Sequence, residues 1–250
     1  MSGHSKWSTI KRKKGAKDAQ RGKLFSKLVK EIIVAAKMGG GDITANARLR
    51  TAVSTARSNS LPAENIERAI KKGTGELEGA SYEEVTYEGY GPGGVAIIAS
   101  ALTDNRNRTV AEIRHIFDKN GGNIGTSGCV GWMFKKRGII NVAKGVIDEE
   151  KLLEIALEAG ADDVAESEEG FEISTSPEDF SAVSEALEAA GIATESAEVA
   201  MVPDNVVTVT GKEAEQVMRL LDTLDDHDDM QSVASNADIP PEELERLNAA

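Results

Sequence analysis

The residues whose chemistry stands out first are cations. Lys6, Lys11, Arg12, Lys13, Lys14, Lys17 and Arg21 crowd residues 1–21 with few apolar neighbours, and Lys23, Lys27, Lys30 and Lys37 continue the series at helical spacing. Residues 1–37 balance at +9. Ammonium and guanidinium groups arrayed in this way suit a phosphate backbone. Each neutralised phosphate releases counterions, so such binding weakens steeply with salt. Contacts of this kind position a protein without reading sequence. Trp7, inside Gly3-His4-Ser5-Lys6-Trp7, adds a flat ring suited to stacking on an unpaired base. The bland alternative is a solvated basic face with a packed indole, and the size of the charge excess favours nucleic acid over it.

A second group is Asn105-Arg106-Asn107-Arg108-Thr109, with Arg114 and His115 further on. Arg106 and Arg108 at a helix start would favour anions, although they could instead pair with Glu112 or with the acidic part of the chain. Gly89-Tyr90-Gly91-Pro92-Gly93-Gly94 lacks the Gly-Lys-Ser/Thr ending of a phosphate loop and reads as a tight turn. The run Gly121–Gly128 reads as a flexible loop whose backbone amides could meet RNA or a partner. Asp222, Asp225, Asp226, Asp228 and Asp229 lack calcium-loop spacing, and a solvated helix end is the better reading. His227 among them reads as a surface-loop residue. One cysteine, Cys129, and three dispersed histidines, His4, His115 and His227, give no zinc-ligand spacing. Neither Gly-x-Ser-x-Gly nor His-Glu-x-x-His is present. The expectation is therefore no catalytic residues, no metal and no cofactor.

Charge is divided along the chain. Residues 1–80 carry 17 Lys and Arg against 7 Asp and Glu, a balance of +10, and residues 138–250 carry 5 against 29, a balance of −24. The net charge of −13 conceals this split, which points to a polyanion partner at the basic end. Apolar runs such as Ile32–Ala36 and Val95–Ala99 are too short to cross a bilayer, and no apolar stretch typical of a signal peptide follows the basic start. A cytoplasmic protein without a membrane or small-molecule partner is expected.

These side chains must be positioned by elements. Residues 1–21 cannot bury a core and are expected to be mobile until they meet a partner. Leu24, Phe25, Leu28, Val29, Ile32, Ile33 and Ala36 mark the buried stripe of a helix ended by Gly39-Gly40-Gly41, with the lysines opposite. A second helix over about 46–58 buries Leu49, Ala52, Val53 and Ala56. A third runs from Pro62 to Gly73. Residues 73–81 read as a linker. Strands are expected at 82–90, 95–102 and 129–134, with a helix over 108–119 capped by Asp104 or Asn105. Residues 138–202 then read β-α-β-β-α-β, a ferredoxin-like order. A strand near 206–209, a helix over 212–224 and a strand over 230–235 would complete the elements before residue 135. The expected fold is multidomain α and α+β: a basic helical bundle (1–75), a split α+β domain (82–135 plus 204–240) and an acidic ferredoxin-like domain inserted in it (136–203).

Gly3–Trp7, the segment Arg21–Leu28, Tyr87–Gly94 and Asp104–Thr109, in that order, resemble the YebC/PmpR family up to about residue 240, while the tail 240–250 looks particular to this chain. The resemblance implies a helical N-terminal domain with two α+β domains, one inserted in the other, and a cytoplasmic regulator. It implies a DNA-binding transcriptional regulator, as most bacterial members are described. The mitochondrial relative is a translational activator that binds messenger RNA. Some bacterial members look like ribosome-associated factors that relieve stalling at proline runs. The binding role carries over to Lys6, Trp7, Lys11 to Lys14, Lys17 and Lys23. A metal-dependent enzyme built on the aspartates and a protein adaptor built on the acidic domain are the competing classes.

Overall fold

The computed structural model describes residues 17–167 and 170–249. Three helices come first: α1 (Lys17–Gly39), α2 (Ala47–Ser58) and α3 (Ala63–Thr74). Their shared core holds Leu28, Ile32, Ile33, Leu49, Val53, Ile66 and Ala69, which recur at helical spacing on each element. Asn46 joins the first two helices. Its side-chain oxygen accepts from Leu49 N as the N-cap of α2, while its amide donates to Ala35 O and Gly40 O, each at 2.8 Å. Gly73 lets α3 lie against α1, since a Cβ there would stand 2.4 Å from Ile33 O. Two expectations change. Leu24 is 39% exposed and lies outside the stripe. Residues 17–21 are already helical, because they continue the backbone ladder of α1.

A four-stranded sheet follows, in the order β3-β1-β2-β9. It pairs β1 (Glu83–Tyr90) with β2 (Ala96–Thr103) around a 3-10 turn at Pro92–Gly94, in the register Glu83↔Thr103 to Tyr90↔Ala96. β3 (Asn123–Ile124) flanks β1, and β9 (Met230–Ser235) flanks β2. The helices α4 (Arg106–Lys119) and α7 (Gly211–Asp225) pack on this sheet through Ile113, Phe117, Val217, Leu220, Leu221 and Leu224. α4 opens on Asn105, whose side chain accepts from Arg108 N. A short parallel pair, β8 (Val207–Thr208) with β10 (Ala237–Asp238), precedes α8 (Pro241–Ala249). The tail joins the core through Leu244, and Glu243 Oε1 accepts from Gly211 N at 2.6 Å, capping the start of α7.

The second four-stranded sheet is continuous in sequence. It contains β4 (Phe134–Ala143), β5 (Ala161–Glu166), β6 (Gly170–Thr175) and β7 (Ser196–Pro203), with α5 (Glu149–Glu158) after β4 and α6 (Phe180–Ala189) after β6. Its order is β5-β6-β4-β7, and all its pairings are antiparallel. Ile140, Leu152, Ile173, Val183 and Leu187 fill the space between sheet and helices. Ala96, Ile98, Val130, Phe134 and Ala234, with Met201 beside them, form the apolar junction between the two sheets. The molecule is thus a mixed α/β chain with a helical N-terminal part and antiparallel sheets. The strand expected at 129–134 is not one: Gly131–Met133 is a 3-10 turn, and β4 begins only at Phe134. Among the described residues no helix is long and apolar enough to cross a membrane.

Candidate nucleic-acid interface

Of the residues singled out by sequence, Lys6, Trp7, Lys11, Arg12, Lys13 and Lys14 lie outside the described residues. Lys17 opens α1, and nothing is described of its side chain. Arg21 is exposed, its guanidinium 5.3 Å from the Phe25 ring centroid.

Lys23, Lys27 and Lys30 are one turn apart on α1, and all three amines reach the end of α7 and the loop after it. Lys23 Nζ donates to Asp226 O at 3.0 Å, Lys27 Nζ to Asp225 O at 2.7 Å, and Lys30 Nζ to Asp228 O at 3.0 Å. A helix C-terminus leaves carbonyls unpaired and carries partial negative charge, so three ammonium groups there satisfy acceptors and complement the dipole. Lys30 also donates to Asp229 Oδ1 at 2.7 Å and lies 5.4 Å from the Tyr82 ring centroid. Lys37, further along, donates to Ser81 Oγ. Lys27 and Lys30 are thus half-buried against the 225–229 segment, while Lys23 reaches it from an exposed position and Lys37 is exposed beside Ser81.

Asp229 is the hub. Its residue is 3% exposed, and its second oxygen accepts from Arg108 Nη2 at 2.7 Å and from Thr109 Oγ1 at 2.8 Å. Burial alone would raise its carboxyl pKa, but the hydrogen bonds from Lys30, Arg108 and Thr109 outweigh burial and hold it far below the usual carboxylate range. The same contact raises the pKa of Arg108. The solvated helix end expected for the aspartates fits exposed Asp222, Asp226 and Asp228 and is corrected for Asp229, a buried, doubly ion-paired carboxylate. His227 is also more than a surface-loop residue. It accepts Asp229 N–H at Nδ1, which leaves the proton on Nε2, 2.9 Å from Glu112 Oε2.

Glu112, His227 and Asp229 each bring one potential ligand atom within 4.8 Å of the others. Both oxygens of Asp229 already serve cations or a hydroxyl, and both ring nitrogens of His227 are engaged. A metal here would have to displace Lys30 and Arg108. The cleft of about 730 Å³ beside them is lined by both signs of charge, including Lys23, Arg108, Asp104 and Asp228, and is no simple anion pocket. Arg106 stands apart from it, exposed and without an ion pair among the described residues.

The basic surface still open to an external phosphate lies on α2, which the reading of α1 passed over. Ala47–Ser58 contains no acidic residue. Arg50 and Arg57 are exposed two turns apart, with exposed Thr51, Ser54, Thr55 and Ser58 around them. Arg50 is steadied by Ile43 O and Thr44 O. Arg48, by contrast, is taken up by Glu31 and Glu84. Arginines interleaved with hydroxyls are the common donors to phosphate oxygens. On α3, exposed Arg68, Lys71 and Lys72 add to the same bundle. The absence of acids across a helix was the signal available in the sequence.

The glycine-rich loop also differs from expectation. The amides of Gly128, Val130 and Gly131 donate to Glu88 at 2.7, 2.8 and 2.6 Å, so they serve a buried carboxylate of the protein itself. Burial would raise the pKa of Glu88, and the three amides together bring it below the ordinary value.

Known proteins share this architecture. Residues 5–76 match the TACO1/YebC protein N-terminal domain, and residues 82–237 match the TACO1/YebC second and third domain. A "probable transcriptional regulatory protein" of Desulfatibacillum aliphaticivorans is 63% identical over 244 residues, covering 98% of this chain and 99% of that protein. One of the same description from Geobacter sulfurreducens is 60% identical over 247 residues, covering 99% of this chain and 100% of that protein. That coverage takes in most of the tail after residue 240, which is not particular to this chain. The crystal structure of a conserved hypothetical protein from Aquifex aeolicus is 52% identical, has a TM-score of 0.81, and covers 91% of this chain and 94% of its own. Matches over nearly the whole length, in sequence and in fold, place the chain in the TACO1/YebC family.

Proposed function

We propose that this protein is a regulator of gene expression that binds nucleic acid through its helical N-terminal bundle and is not an enzyme. The carrying observation is the acid-free face of α2, where Arg50 and Arg57 stand exposed among four hydroxyl side chains. Such a face grips phosphates without reading bases. The printed description of the relatives, probable transcriptional regulatory protein, supports a role in transcription, and on this reading the target is DNA and the place of action the cytoplasm. A second reading, an RNA-binding factor at the ribosome, is favoured by one feature, the exposed indole of Trp132. In both readings residues 1–75 form the binding domain, and residues 136–203 form an acidic domain inserted between 82–135 and 204–240. Lys6, Trp7 and Lys11 to Lys14, which precede this bundle in sequence, contribute cations and a stacking ring to the same binding role, and Arg106 adds a further cation.

The test is binding of the full chain to duplex DNA and to single-stranded RNA over a range of salt. Above about 0.05 M, affinity should fall linearly with log salt, and Arg50→Ala with Arg57→Ala should lower that slope by about two. No binding to either polymer in dilute buffer, or a double variant with an unchanged slope, would refute the reading.

A further inference from the structure

From Lys119 to Ile147 the chain contains no Asp or Glu, while Lys119, Lys135, Lys136, Arg137 and Lys144 make that stretch basic. It lies inside a part of the chain, residues 81–250, that balances at −23. At its centre Trp132 is 70% exposed. A large aromatic left in water is unusual, and Trp is enriched where partners dock.

The indole is held in place. Trp132 Nε1 donates to Cys129 O at 3.2 Å, and Tyr90 Oη donates to the same carbonyl at 3.1 Å. The amides just before it converge on buried Glu88. Burying a carboxylate is costly unless it is well hydrogen-bonded, and here the three bonds fix the loop that displays the indole. A ring already fixed loses little freedom when something stacks on it. Gly125, Thr126, Ser127 and Gly128 beside it are exposed and uncharged. Lys135 and Arg137 are paired with Asp204 and Asp162. Lys136 shares the pleat face of Phe134, is exposed, and has no ion pair among the described residues.

A flat indole, small hydrogen-bonding neighbours and a cation match an unpaired base with its phosphate. We propose that Trp132 and Lys136 form a second contact site, for single-stranded RNA, separate from the α2 face. Unpaired bases are what RNA offers and an intact duplex withholds. This site rests on the nucleic-acid reading above.

The test uses the full chain with an oligouridylate of about twelve nucleotides, within the usual span of single-strand sites. A DNA duplex and the matching oligodeoxythymidylate serve as the other probes. Trp132→Ala should weaken oligouridylate binding by about ten-fold or more, Trp132→Phe by less, and neither should alter duplex binding. The chain has two tryptophans, so in a Trp7→Phe background emission reports on Trp132 alone, and oligouridylate should quench it. Thermal melts matching the parent protein confirm that the variants fold. Unchanged oligouridylate affinity in Trp132→Ala, absence of quenching, or tighter binding of the deoxy oligomer each overturns the site. Loss of self-association in sedimentation with RNA binding intact would mark the indole as a protein contact and also overturn it. If duplex binding survives while Trp132 proves inert, only this site falls. If the parent chain binds none of the three probes, the broader reading falls with it.

Discussion

At the scale of single residues, two carboxylates hold geometry that no apolar contact could. Glu88 is 7% exposed and accepts three amides, while Asp229 accepts two cations and a hydroxyl. In Glu88→Gln an NH₂ replaces one acceptor and faces N–H groups, leaving at least one buried amide unpaired. The expected cost is about 1–3 kcal/mol, read as a lower midpoint in urea unfolding, together with a mobile Trp132 seen as a loss of emission anisotropy. An unchanged midpoint would show that the amides find other acceptors. Both groups have folded pKa values below their ordinary ones, 4.5 for Glu88 and 3.8 for Asp229. Each therefore binds fewer protons folded than unfolded. Their stabilisation is fully present above the unfolded values and is lost as pH falls through the folded ones. Thermal stability should be flat around neutrality and decline once the pH drops below about 4. In the Glu88→Gln, Asp229→Asn double variant that decline should be shallower, and a profile parallel to the parent's would rule out these two groups as its origin.

Between elements, the interface of α1 with the end of α7 rests on charge. Lys23, Lys27 and Lys30 each meet a backbone carbonyl of the 225–229 segment, and Lys30 adds a carboxylate. Lys27→Ala with Lys30→Ala should loosen this contact, with faster hydrogen exchange at Leu102 N and Met230 N, whose acceptors are Asp229 O and His227 O. The salt slope of nucleic-acid binding should stay as it was, because these amines already have partners. A slope reduced by about two would instead mean that the lysines leave the aspartates for phosphates. The apolar faces of α1 and α2 were legible because burial repeats with the helix period, as at Leu28, Ile32, Leu49 and Val53. What covers the opposite face was not, since periodicity says which side a lysine is on and nothing about a partner some 198 residues away. Trp132 was missed for a related reason. An apolar run from Cys129 to Phe134 looks like a strand, and only the distant Glu88 draws its amides out of a ladder.

Across the whole molecule the charge division becomes a matter of range. The −24 of residues 138–250 and the +10 of residues 1–80 act together on a polyanion when screening is weak, and the net −13 repels it. The Debye length is about 30 Å at 0.01 M salt and about 8 Å at 0.15 M. At the higher salt the arginines on α2 touch phosphates while acidic charge more than about 8 Å from them is screened. At the lower salt the acidic sheet is felt as well. Affinity for duplex DNA should therefore rise as salt is lowered, as counterion release requires, and then level off below about 0.05 M, where repulsion offsets the gain. Fluorescence anisotropy titrations of one labelled duplex from about 0.01 to 0.3 M would show the bend. The division of charge was plain in the sequence. Which positive groups remain free to use it was not, because three of the lysines are held by aspartates whose place only the fold reveals. A line that stays straight to the lowest salt would mean that the acidic part never feels the bound polymer, and that charge division does not orient the complex.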